Sequence, residues 1–239
     1  MAYEMLIFGH MKLCLACVFC ALSLAVTAFA ADSIVVSNTA PGLAGTNDNQ
    51  GPTVPSDLYT NTIGMELVKV GDFWAGKYPV TQKEYQKVMG SNPSASAGET
   101  HPVDTVSWND AMDFCAKLNA LTRETNDLPE GYYYTLPSES EWESLVADAG
   151  LKDAITSQTA NRNGSAPVGS LGANSLGLYD TRGNVMEFCL SDTTKPFRVL
   201  RGGSWKDHIE VNLRTQFRFY CQPDDRQNTF GFRVLLKKP

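Results

Sequence analysis

Three cysteines, two histidines and scattered acids are the side chains in the body of this chain that could support covalent or metal chemistry. The sequence holds six cysteines, of which Cys14, Cys17 and Cys20 fall in an apolar N-terminal stretch and Cys115, Cys189 and Cys221 lie beyond it. Their spacing matches no C-x-x-C motif and no zinc ribbon. In an oxidising compartment an odd set allows one disulfide and one free thiol, or three buried reduced thiols. Cys115 belongs to the stripe Ala111, Phe114, Cys115, Leu118 at i, i+3, i+4 and i+7, so it reads as a small apolar core residue, not a nucleophile. A non-haem iron site would want two histidines and a carboxylate. Beyond the N-terminal stretch the sequence offers only His101 and His208, and His208 adjoins Asp207, which on a strand would point to the opposite face. No G-x-S-x-G elbow, P-loop or G-x-G-x-x-G run occurs, so serine hydrolysis and nucleotide binding have no support. With 26 acidic against 20 basic side chains, a net charge of −6 and a pI near 5.1, the chain lacks the basic surface that a nucleic-acid partner needs.

The elements that must position these residues are readable in outline. Leu13 to Ala28 carries no charge, follows Lys12 and ends at Ala28-Phe29-Ala30, which predicts a secretory signal over residues 1–30 with cleavage after Ala30. The alternative is an uncleaved anchor, since Leu13 to Ala31 is just long enough to span a bilayer. Either way the remainder is exported, periplasmic or secreted, and a cleaved form has no stable membrane insertion. Residues 31–60, rich in Gly, Pro, Asn and Asp, read as a flexible linker, and 61–239 as one domain. Within it GMELVKVGDF alternates apolar and polar residues like a half-buried strand. Three helix starts stand out: Thr81 three residues before Glu84, Ser107 before Asp110, and Ser138 before Glu141. Each has the spacing of a reciprocal N-terminal cap, with Ser107/Asp110 the loosest because the pattern favours Glu. After Gly150 helical periodicity fades into short strands broken by Gly, Asn, Asp and Pro. The expectation is an α+β domain, with two to three helices packed on short twisted antiparallel strands.

From Asn61 to Pro239 the segments GMELVKVG, GKYPVTQKEYQKVMG, HPVDTVSWNDAMDFCAKLN, YTLPSESEWESL, APVGSLGANSLGLYDTRGNVMEF, RVLRGGSW and PDDRQNTFGFRV follow one another. In that order they resemble the formylglycine-generating enzyme (sulfatase-modifying factor) family. The resemblance implies a C-type-lectin-like variant fold, much of it in ordered loops. The family includes sulfoxide-forming relatives with a separate iron-binding domain, members without known chemistry, and copper-dependent oxidases that turn a sulfatase cysteine into formylglycine with two thiolates, soft ligands suited to Cu(I). Both family cysteines follow the RGGS turn. Here the first falls on Asp207 and the second near Asn212, and no cysteine occurs from Trp205 to Tyr220. Copper is therefore not expected and no catalytic residue is assigned.

The resemblance also implies a structural calcium ion, held by oxygens of Asp180, Gly183, Val185 and Glu187, a hard-ligand set. A second family calcium site starts at Asn161 and Arg162, but a deletion before Asp180 removes its later ligands. Relatives often pair the Cys115 position with a cysteine where Val234 stands here, so that disulfide is unavailable. The family's GNVWEW reads GNVMEF, with Met186 and Phe188 replacing tryptophans, and Trp108, Trp142 and Trp205 are expected as core anchors. The functional expectation is an exported, non-catalytic binding or scaffold domain for a protein or glycan. Its binding surface would run from Lys206 to Asn228 and include Trp205, Lys206, Asp207, His208, Arg214, Arg218 and Tyr220. The alternatives are an oxidoreductase of the formylglycine-generating type with an atypical site, and an accessory protein serving assembly.

Overall fold

The alternating segment that opens the domain folds as a hairpin of β2 (Glu66–Val70) and β3 (Phe73–Gly76), closed by the two-residue turn Gly71-Asp72. Gly71 takes a φ of 57°, which glycine adopts without a Cβ clash. The computed structural model describes residues 56–160 and 164–239, all within one compact unit spanning 47–239. The expected signal and most of the expected linker lie outside the described residues. One boundary needs correcting. The last residues of that linker form β1 (Leu58–Thr60), antiparallel to β2 with Leu58 opposite Val68. The Ser56 carbonyl accepts the indole N–H of Trp74. The polar neighbours of this short strand hid its pairing partner from a reading by composition.

β1 to β3 continue into a five-stranded sheet of order β1-β2-β3-β9-β4, with β4 at Tyr133–Thr135 and β9 at Leu235–Lys237. The second sheet has order β7-β6-β5-β8, formed by Met186–Phe188 (β5), Arg198–Arg201 (β6), Phe219–Cys221 (β7) and Phe230–Gly231 (β8). The strand pairs are antiparallel, as expected, except one: β8 runs parallel to β5, with Met186 opposite Phe230. The chain crosses from β5 through β6 to the β7 edge, then returns outside the ladder to the opposite edge.

All three helix starts form. α1 (Gln82–Met89), α2 (Trp108–Glu124) and α3 (Glu139–Val146) each begin with a complete reciprocal cap, on Thr81/Glu84, Ser107/Asp110 and Ser138/Glu141. Each cap satisfies two N–H groups that the first turn leaves without intrahelical partners, worth about 1 kcal/mol. A single turn, α4 (Ser157–Ala160), follows later. The predicted stripe on α2 is buried: Phe114 stacks on Tyr85 at 5.7 Å and meets Phe232 edge-on at 5.3 Å. Cys115 and Val234 share this core. Among the described residues no helix is long and apolar enough to cross a membrane.

Candidate functional site

The Arg201-Gly202-Gly203-Ser204 corner ends β6 and turns the chain back on itself. Gly202 and Gly203 have φ values of 92° and 71°. A Cβ on Gly203 would stand 2.6 Å from Leu213 Cδ2 and 3.0 Å from the Asn212 carbonyl oxygen. Only glycine lets the segment after the corner return that closely. The corner thereby brings positions 207 and 212 side by side. Asp207 Oδ2 accepts from Ser204 N and Ser204 Oγ, both at 2.8 Å, and its Oδ1 accepts from Asn212 Nδ2 at 2.6 Å. The two positions assigned to the family thiols therefore do meet, but they hold a carboxylate–carboxamide hydrogen bond.

The three cysteines offer no substitute. All are free and buried. Burial pushes the thiols of Cys115 and Cys221 up to about 12 and that of Cys189 well above its ordinary value, so none supplies a thiolate near neutral pH. Of the two readings the composition allowed, three reduced thiols is the one found. Cys189 lies just past β5, bonded to Val199 of β6, while Cys221 sits on β7 opposite Arg198. Two strand spacings separate them, roughly 10 Å, beyond the ~7 Å limit between Cα atoms that a disulfide can bridge.

The rest of the expected binding surface divides into two. Trp205, Lys206, Asp207 and His208 form a loop pinned from behind. The Asp207 carbonyl accepts from Ser157 N and Oγ, and the His208 carbonyl accepts from Gln158 Nε2. Trp205 is half-buried, correcting its reading as a core anchor; its indole donates to the Asn228 carbonyl at the surface. Trp108 and Trp142 are core, as expected. Arg214 is exposed. Arg218 is tied to Glu139 and Glu143 at the start of α3, and both acids also bind the fully buried Arg201. Tyr220 stands on the outer edge of β7.

Below the corner lies the 180–187 loop. Gly183 N donates to the Gly202 carbonyl and Trp205 N to the Asn184 carbonyl, so the two loops form one unit. Glu187 is 1% exposed and receives Trp142 Nε1 at 2.9 Å and Arg233 Nη2 at 2.9 Å. Arg233, fully buried, also donates Nη1 to the Gly76 carbonyl at 2.7 Å and Nη2 to the Tyr179 carbonyl at 2.6 Å. Sequence reasoning did not foresee this pair. Its signal was an arginine inside the apolar run Phe230–Leu236, where a buried charge must find a carboxylate. Burial raises the Asp180 carboxyl above the usual carboxylate range; Gly169 N–H and the charge of Arg233 oppose this, and the charge of Glu187 adds to it.

Glu187 is paired with Arg233, whereas Asp180 accepts from Gly169 N and only feels the charge of that guanidinium. Asp180 and Glu187 are both buried oxygen donors, the kind of ligand a hard cation takes. Among the described residues no cluster of three or more His, Cys, Asp or Glu side chains is able to hold a metal, so a cation at this loop would need carbonyl oxygens as well. Asn161 and Arg162, the start of the second family site, lie outside the described residues.

The profile of the sulfatase-modifying factor enzyme 1-like domain matches residues 39–238. The chain belongs to this family. The chaperone protein LppX of Paenibacillus barcinonensis is 32% identical over 241 aligned positions, covering 71% of this chain and 86% of that protein. The inactive C-alpha-formylglycine-generating enzyme 2 of Bos taurus is 29% identical, covering 65% of this chain, and the chain spans 56% of its length. The structure of PvdO from Pseudomonas aeruginosa superposes with a TM-score of 0.61 at 21% identity, over 77% of this chain and 99% of that one. The α+β, C-type-lectin-like fold of formylglycine-generating enzymes is therefore the fold of this sulfatase-modifying factor domain.

Proposed function

We propose that this member of the sulfatase-modifying factor family is an exported, non-catalytic binding domain that serves a partner protein. One observation carries the reading: the Gly-Gly corner still brings positions 207 and 212 together, yet they hold the Asp207–Asn212 hydrogen bond where an oxidase needs two thiolates. The buried, protonated Cys115, Cys189 and Cys221 cannot replace them. Export rests on the charge-free Leu13–Ala28 stretch before Ala-Phe-Ala. A protein client, in preference to a glycan, is supported by the likeness to a relative that carries the name chaperone and is matched over 86% of its length.

In this reading the 180–187 loop takes one structural Ca²⁺, with Asp180 and Glu187 as carboxylate donors and the carbonyls of Gly183 and Val185 beside them. The ion's part is to offset buried negative charge; Arg233 and Trp142 orient Glu187. The surface from Trp205 to Tyr220 is the face available to a partner.

The test is turnover. Purified protein loaded with copper is incubated aerobically with a cysteine-containing sulfatase peptide and the product examined by mass spectrometry. Unchanged cysteine is expected. Oxygen-dependent conversion to formylglycine would show that the chain is an oxidase with an atypical site, and high-affinity hits on a glycan array would move the ligand class from protein to sugar.

A further inference from the structure

Of the six large apolar side chains left exposed among the described residues, three, Leu190, Phe197 and Tyr220, meet at one place. Single exposed apolar residues are ordinary, but a gathering of them marks an interaction site. Leu190, Pro196, Phe197, Val199 and Tyr220 line a cavity of about 330 Å³, bordered by Glu139 at the start of α3. Helix α3 buries Cys189 against Trp142 and Val146 on this side of the sheet, but leaves the outermost strand uncovered, and Tyr220 is 58% exposed. The rim is held from beneath. Buried Arg198 donates through Nη1 to the carbonyls of Lys195 at 2.8 Å and Phe197 at 3.2 Å, so the groove is preformed and little ordering is needed on binding.

The backbone beside this groove is also open. Val199 turns its carbonyl toward β5, where it accepts from Cys189 N. In an antiparallel ladder the facing pair Val199–Tyr220 is then a non-hydrogen-bonded one. The N–H and C=O of Tyr220 consequently point away from β6, off the edge of the sheet. No strand among the described residues lies there. An edge of this kind is a template for an added strand.

Charge decides the occupant. The ionised groups beside the groove cancel, Arg201 and Arg218 against Glu139 and Glu143, and its rim carries Asp192 and Lys195, one of each sign. An acidic or basic peptide finds no net counter-charge. We propose that β7 and the adjoining groove receive an extended, uncharged apolar segment of a partner polypeptide. The segment adds as a strand to Tyr220 and places one side chain between Phe197 and Tyr220. This rests on the reading of the chain as a protein-binding domain and names the surface and the chemistry of the client.

The probe is a fluorescein-labelled, end-capped decapeptide alternating Val and Thr, with variants in which Thr is replaced by Glu or Lys, followed by fluorescence anisotropy. The neutral peptide binds in preference to both charged ones. Phe197→Ser removes an anchor in the groove. Tyr220→Pro removes the outward N–H without touching the bonds to β6. Each weakens binding about tenfold, with circular dichroism and Tm showing that the domain remains folded. Affinity unchanged in both variants, no binding at all, or preference for a charged peptide overturns the assignment. So does a dimer in sedimentation that Phe197→Ser dissociates, or Phe197-dependent binding to phosphatidylcholine vesicles without peptide binding. Copper-dependent turnover together with variant-sensitive peptide binding removes the non-catalytic reading and leaves this surface standing.

Discussion

Replacing Glu187 by glutamine keeps the shape of the side chain and a hydrogen-bond acceptor for Trp142, but strips the only carboxylate from Arg233. That guanidinium is fully buried and receives no other charge; its remaining partners are the carbonyls of Gly76 and Tyr179. Breaking a buried ion pair from one side costs about 3–5 kcal/mol, because an uncompensated charge stays inside. For a domain of this size each kcal/mol moves Tm by about 2–4 °C, so Glu187→Gln should melt about 6–20 °C below the wild type. Scanning calorimetry and urea titration in EGTA read the pair alone, free of any ion bound to the same carboxylate. Arg233→Met in the Glu187→Gln background should recover part of the loss, since no buried charge then remains, and the double-mutant cycle should give a coupling of about 1–3 kcal/mol. A Glu187→Gln protein within about 0.5 kcal/mol of the wild type would show that the backbone carbonyls suffice and that the pair does not hold the two sheets together.

The remaining expectations concern the cation, the thiols and acid stability. Calcium should raise Tm over an EGTA control, and Asp180→Asn should abolish the increment; equal melting with and without calcium would remove the ion from this loop. Iodoacetamide labelling followed by peptide mass spectrometry should find Cys115, Cys189 and Cys221 unmodified in the native protein and labelled in guanidinium; native labelling of Cys189 would refute its burial. The double variant Asp207→Cys/Asn212→Cys should bind Cu(I) or close a disulfide, because the present side chains are 2.6 Å apart. Failure to do either would mean that the corner does not hold these positions together in solution. Burial raises the Asp110 carboxyl, but the bonds from Arg226 and Ser107 outweigh it and leave it below the usual range. A depressed carboxylate stabilises the fold above its unfolded value of about 3.9 and loses that contribution as pH falls through its folded value. Asp110→Asn should therefore flatten the decline in urea midpoint below about pH 4, and an unchanged slope would exclude the cap as a source of acid sensitivity.

What could be read from the sequence was local. The three helix starts needed only a hydroxyl and an acid three residues apart, and even the weaker Ser107/Asp110 pair closes both its bonds. The apolar stripe around Cys115 and the paired glycines of the corner were equally legible, since each is a constraint that a short segment imposes on itself. The misses are long-range. β1 was lost because a three-residue strand has no periodicity of its own and exists only through β2. The bond of Glu187 to Arg233 went unread because that partner lies 46 residues on. Arg218 read as an open binding residue because the glutamates that hold it are 75 and 79 residues away. The groove at β7 was invisible for the same reason, being made by the meeting of two loops with the end of a helix.

The Gly-Gly corner and the absence of cysteine from 205 to 220 are compatible because the corner is part of the frame. A Cβ on Gly202 would stand 3.0 Å from the ring of Trp142, and Trp142 is the residue that orients Glu187 on Arg233. Gly183 N–H and the Gly202 carbonyl join the same unit. The corner therefore packs against the ion pair that links the first sheet, through Gly76, to the second. Positions 207 and 212 need no cysteines to keep that frame, because an Asp–Asn hydrogen bond joins them and caps Ser204 besides. The glycines cannot be lost on those terms. Substituting Gly203 should cost the fold itself, through Leu213 and Asn212, whereas substitutions at 207 and 212 should change what the loop can bind and leave the domain folded.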